Sequence, residues 1–112
     1  MAADAPEMVV LTGNLPKFSS DGASKCLGVY KKTEVSGCRP TYVKVDDANQ
    51  FLTYHILRWR FGRADDLRKG TCDICCGDDD AMTPDKVSSS WKTRFAYGIQ
   101  SAPGLRLHAL LP

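Results

Sequence analysis

The sharpest chemical signal in this chain is the run Cys72-Asp-Ile-Cys75-Cys76. Two thiolates at C-x-x-C spacing can grip one side of a tetrahedral zinc ion, and a structural site then needs two further ligands. Cys26, Cys38, His55 and His108 are the remaining sulfur and imidazole groups, and no two of them form a second close pair. The paired grammar of zinc sites is therefore absent. Cys72, Cys75 and Cys76 stand as the metal candidates the chain offers, with no bound metal as the expectation. A redox dithiol of the familiar kind opens a helix within a βαβ unit, a setting these residues lack. Buried, unreactive thiols are the expected reading.

Other clusters are weaker. Asp78-Asp79-Asp80, with Asp85 nearby, lacks the alternating acidic positions, glycine and distal Glu of a calcium loop, so it reads as a solvated acidic turn. Arg58, Arg60, Arg63, Arg68 and Lys69 are interleaved with Trp59 and Phe61. On a strand, Arg58 and Arg60 would share the outer face while Trp59 and Phe61 point inward. Arg58, Arg60 and Arg63 are thus the candidate anchors for a partner, because guanidinium forks pair bidentately with carboxylate and phosphate. The competing expectation is internal pairing with Asp65, Asp66 or the 78–80 loop. There is no glycine-rich phosphate loop, no Gly-x-Ser-x-Gly elbow and no His-Glu-x-x-His. A Cys–His dyad would have to join Cys26 or Cys38 to His55. The expectation is a chain without catalytic residues or cofactor, that is, not an enzyme.

At 112 residues the chain has the length of one domain, able to bury a real core without metals or disulfides. Apolar residues make up 43% and charged residues 25%, both ordinary for a globular protein. A net charge of +2 is too small to demand nucleic acid or an acidic membrane. No apolar run approaches the roughly 20 residues of a membrane-spanning helix. The first residues carry no basic-then-apolar leader. Together with an odd count of five cysteines, this gives the expectation of a reducing, cytoplasmic setting with free thiols.

Periodicity places the elements that must carry these residues. Met8–Thr12, Leu27–Lys31 and Thr41–Val45 read as strands, the first closing at Gly13-Asn14 and the third opening after Pro40. Residues 15–24 read as irregular loop. Residues 48–61 admit a helix capped by Asp47 and ended by Gly62. Their Phe, Thr, Tyr, Ile and Trp content favours two strands instead. Residues 63–70 read as loop, 72–76 as a short strand, 77–85 as an acidic turn, and Trp91–Tyr97 and Leu105–Leu111 as further strands. The fold expectation is mainly β: a compact antiparallel sheet or meander, a sandwich or a partly open barrel, with little helix. Its organisation is a flexible terminus over 1–7, a β-rich domain over 8–97, and a C-terminal extension over 98–112 that adds an edge strand.

Several of these positions form a pattern: Gly28-Val-Tyr30, Gly37-Cys-Arg-Pro-Thr-Tyr-Val-Lys44, Leu52-Thr-Tyr54, Arg58-Trp-Arg-Phe-Gly62, Pro84-Asp85 and Trp91. The pattern resembles small β-rich modules seen in protist and algal multidomain proteins. Their signature runs Gly-x-Tyr, Asn-Gly-Arg-Pro-x-Tyr-x-Lys, Leu-Tyr-Tyr, Trp-x-Ile-Gly, Pro-Asp and Trp. The chain departs from it by inserting Cys38 before Arg39-Pro40 and by placing Thr53 where an aromatic stands. The likeness covers about Leu11 to Phe95. It implies a compact β fold framed by Tyr30, Tyr42, Tyr54, Trp59 and Trp91, and it implies no activity, cofactor or substrate.

Two functional expectations remain. One is a non-catalytic binding or scaffold module mediating protein–protein interaction. The other is a β domain recognising a small polar ligand, a sugar or phosphate, in a loop-lined cleft. Zinc and nucleic-acid binding rank below both, membrane insertion is not expected, and the oligomeric state is left open. A pocket lined by aromatics would favour the ligand reading, and an exposed apolar patch would favour the interaction reading.

Overall fold

A computed structural model of the chain describes residues 5–36, 39–95 and 98–110. Among the described residues, strands β1 (Met8–Gly13), β2 (Gly28–Ser36), β3 (Arg39–Lys44), β4 (Asp47–His55), β5 (Arg58–Arg63), β6 (Ile74–Cys76), β7 (Trp91–Phe95), β8 (Gly98–Ser101) and β9 (Leu105–Ala109) form one sheet. The order is β8-β7-β6-β5-β4-β3-β2-β1-β9, and every pair is antiparallel. This is a meander in which the last strand returns to the first. The edge strands β8 and β9 are consecutive in the chain, separated only by Ala102, Pro103 and Gly104. Such a short link forces the sheet to curl until its edges approach, giving a half-barrel. The tight closure needs Gly13 (φ 120°), since any side chain there would collide with the Gly104 carbonyl.

The mainly β architecture is as the alternating runs imply, and residues 47–63 are two strands rather than a helix. Asp47 does cap locally, but its carboxylate accepts from the Asn49 N–H two residues on, closing a turn at the strand's start. Two short helices appear where loop was expected. Helix α1 (Asp21–Lys25) is capped by the Ser20 hydroxyl, which accepts from the Ala23 N–H at 3.3 Å. Helix α2 (Ala64–Arg68) has Asp65 and Asp66 in its first turn and Arg68 in its last, matching the helix dipole. The 1–7 segment is not loose throughout: Ala5 is buried and the Pro6 carbonyl accepts from the Tyr42 hydroxyl. In the C-terminal stretch, Gly98–Ser101 and Leu105–Ala109 are strands of the same sheet and form its two edges, so the expected edge strand is present. Tyr97, placed on the seventh strand by its periodicity, lies outside the described residues.

The concave face is filled by aromatic side chains. Tyr30, Tyr42, Trp59 and Phe61 are fully buried, with Leu11, Leu52 and Ile74 around them. Tyr30 meets Phe61 edge-on at 5.2 Å and Phe61 meets Trp91 at 5.5 Å, spacings typical of favourable ring pairs. Their polar tips are satisfied: Tyr30 donates to the Cys26 carbonyl and the Trp59 indole N–H to the Ala81 carbonyl. No helix among the described residues is long and apolar enough to cross a membrane.

Candidate functional site

Strand alternation divides the cysteines between the two faces of β6. Ile74 and Cys76 point into the core with no exposed surface, which turns Cys75 to the convex face. Register then decides its neighbours, because Cys75 lies opposite Arg60 of β5 on one side and Lys92 of β7 on the other. Arg58 and Arg94, two residues along each flanking strand, share that face. Cys72, at the entrance to β6, is half-buried. The result is a thiol, that of Cys75, set on a face shared with four cationic side chains drawn from two strands.

Electrostatics follow from this placement. The neighbouring Cys72 thiol, and then the charges of Arg58, Arg60 and Lys92, hold the Cys75 thiol below its ordinary value, against the cost of burial. Cys72 is pushed up, first by the neighbouring Cys75 and second by burial. Cys26 and Cys76, by contrast, are raised by burial and behave as core thiols. Inert burial describes those two.

The candidate anchors separate. Arg58 and Arg60 share the outer face as expected, whereas Arg63 has the opposite parity and pairs with Asp47 at 3.3 Å. Arg58 meets Asp78 at 3.0 Å, an exposed ion pair worth at most about 1 kcal/mol. Arg60 donates to the His55 and Gly70 carbonyls, which ties the loop leading to Cys72 against β5. Trp59 and Phe61 are wholly buried and offer no surface for stacking on a base. Among the described residues no group of three or more His, Cys, Asp or Glu could hold a metal ion, and Cys76 faces away from Cys75. Cys26 packs against Gln50, five residues along β4 from exposed His55, so these two are on the order of 16 Å apart. Cys38 lies outside the described residues.

A second feature stands at the β4–β5 hairpin. His55 and Arg58 are paired, leaving Ile56 and Leu57 as a two-residue turn with φ of 45° and 65°. Left-handed backbone at both positions is the province of Asn and Gly, and a β-branched residue there is a steric outlier. Both side chains project into solvent, 69% and 54% exposed. The turn is braced from behind, with the Leu57 carbonyl accepting from the Asp79 N–H at 2.8 Å. Asp79 is itself fixed, its carboxylate accepting from the backbone N–H groups of Ala81, Ser88 and Ser89.

No family model, curated protein or solved structure matches this chain.

A cleft of about 330 Å³ runs along the seam, lined by Ser89, Ser90, Trp91, Leu105 and Arg106 among others. The Arg106 guanidinium is turned back onto the Pro103 and Leu105 carbonyls. Sequence reasoning missed the Ile56-Leu57 tip because neither residue carries a turn signal. It also missed Lys92 and Arg94, which only strand register brings beside Arg58 and Arg60. Alternation within Ile74–Cys76 was the one signal that would have separated Cys75 from Cys76.

Proposed function

We propose that this chain is a non-catalytic protein-interaction module whose principal contact is the β4–β5 hairpin tip. The observation that carries the reading is the Ile56-Leu57 turn: two large apolar side chains, exposed, held in a conformation that costs of order 1–3 kcal/mol for non-glycine residues. Asn-Gly would form the same turn without strain and without exposed apolar surface, so the fold alone gives no reason for Ile and Leu. The brace from Asp79 keeps the tip in one conformation, which lowers the entropy lost on docking. Arg58 on one side and Asp78 and Asp80 on the other give the surroundings mixed charge, suited to a protein surface rather than to an anionic bilayer. A filled interior weighs against the small-ligand alternative.

The test is the double variant Ile56→Asn, Leu57→Gly. Its fold should gain about 1–3 kcal/mol in chemical denaturation as the strain is released. Proteins recovered by the wild-type chain in affinity capture with mass spectrometry should be missing from the variant. Equal recovery by both chains would remove the hairpin tip as the contact.

A further inference from the structure

We propose that the free edge of β9 takes up an extended, acidic peptide segment of a partner protein as a further strand, at a site separate from the hairpin tip. The half-barrel brings its two edges together without joining them, so β9 pairs with β1 on one side and with no strand on the other. Hydrogen-bond alternation shows which groups that leaves. The Leu110 N–H donates to the Met8 carbonyl at 2.8 Å, and the register carries the bonded pairs on to Val10–His108 and Thr12–Arg106. Leu105, Leu107 and Ala109 therefore turn their backbone groups away from β1. Leu105 is satisfied within the chain, its N–H donating to the Ala102 carbonyl and its own carbonyl accepting from Arg106. Leu107 and Ala109 have no such partner among the described residues. Unpaired groups of this kind are a template for another strand. Lying two residues apart, they recur at about 6.8 Å, the repeat at which an added strand presents its own donors and acceptors.

Side chains decide what kind of segment fits. The cleft of about 330 Å³ lies against this edge, lined by Leu105 and Leu107 of β9 together with Val87 and Trp91. It gives apolar side chains of the incoming strand a place to enter. Arg106 and His108 alternate with those leucines and are exposed, and β9 has no acidic residue of its own. Opposite charges on neighbouring strands attract and like charges repel. The fitting segment thus alternates apolar residues toward the cleft with carboxylates toward Arg106 and His108. A second copy of this chain fits less well, because β9 against β9 sets the basic pair beside its own copy. In such edge pairing the main chain gives affinity and alternate side chains give specificity.

The probe is the synthetic peptide Glu-Val-Glu-Val-Glu-Val-Glu with blocked ends, added to the whole isotope-labelled chain, with amide hydrogen exchange followed by NMR. Exchange at Leu107 and Ala109 should slow roughly tenfold or more under saturating peptide, while Arg106 and His108, already bonded to β1, change little. Ala109→Pro removes an outward donor and none that β1 uses. That variant should keep its circular dichroism and bind the peptide roughly tenfold more weakly. Unchanged exchange at Leu107 and Ala109, or wild-type binding by Ala109→Pro, would overturn the edge as the site. Equal protection by Lys-Val-Lys-Val-Lys-Val-Lys would overturn the acidic class. Protection that rises with protein concentration alone, with a dimer in sedimentation, would overturn the partner segment in favour of a second copy.

Discussion

Replacing Trp59 with Ala is expected to lower stability by about 3–5 kcal/mol, the loss usual for deleting a buried indole. Trp59 has no exposed surface, meets Tyr54 at 5.5 Å and donates its indole N–H to the Ala81 carbonyl at 3.0 Å. Its removal opens a cavity on the concave face and frees the segment that Ala81 belongs to. That loss is a large part of the roughly 5–15 kcal/mol that holds a domain of this size together. Trp59→Phe keeps most of the ring contact and loses the hydrogen bond, so a smaller cost of about 1–2 kcal/mol should follow. Chemical denaturation monitored by far-UV circular dichroism measures both. A wild-type midpoint for Trp59→Ala would show that the indole is not part of the framework.

The second large effect is expected at Asp79, which lies outside every strand. Its carboxylate accepts from the backbone N–H groups of Ala81, Ser88 and Ser89 at 2.9–3.0 Å, and its own carbonyl accepts from the Tyr54 hydroxyl. Asp79→Ala orphans those donors, two of them partly buried, at a cost of about 2–4 kcal/mol. It also loosens the brace behind Ile56 and Leu57, so the hairpin tip should lose its fixed conformation together with stability. Burial pushes the carboxyl up, and the three N–H donors more than reverse this, leaving it below the ordinary carboxylate value. A group with a lowered folded value stabilises the fold above its unfolded pKa, near 3.9, and loses that contribution as pH falls through the folded one. The wild-type chain should therefore weaken below about pH 4, and Asp79→Asn should show a flatter acid limb. Identical acid limbs in the two chains would exclude Asp79 as the group concerned.

Both expectations concern the segment 77–90, which shows how local and distant information divide in this protein. Arg39 reaches the Asp80 and Ala81 carbonyls and stacks on Tyr54 at 3.8 Å, so residues from three separate stretches of chain lock together there. Arg39, Tyr54 and the acidic turn are each visible in the sequence. Their meeting is not, because the contacts span tens of residues. Gln50 makes the same point inside the sheet. It is polar, yet buried on the concave face with its amide donating to the Cys26 sulfur, and a reading by polarity turns it outward.

The sequence by itself determined the β class, the two strands across 47–63 and the outward pair Arg58 and Arg60, since each follows from side-chain alternation at period two within a short run. It did not determine α1 and α2, which are five residues each and too short for a helical period to show. It could not determine which residues flank Cys75, because cross-strand neighbours depend on register, and register is set by the packing of all the strands together. Nor could it reveal the strain at Ile56 and Leu57. The pairing of His55 with Arg58 imposes left-handed backbone on whatever residues lie between them, and that pairing exists only once β4 and β5 are docked on a common core.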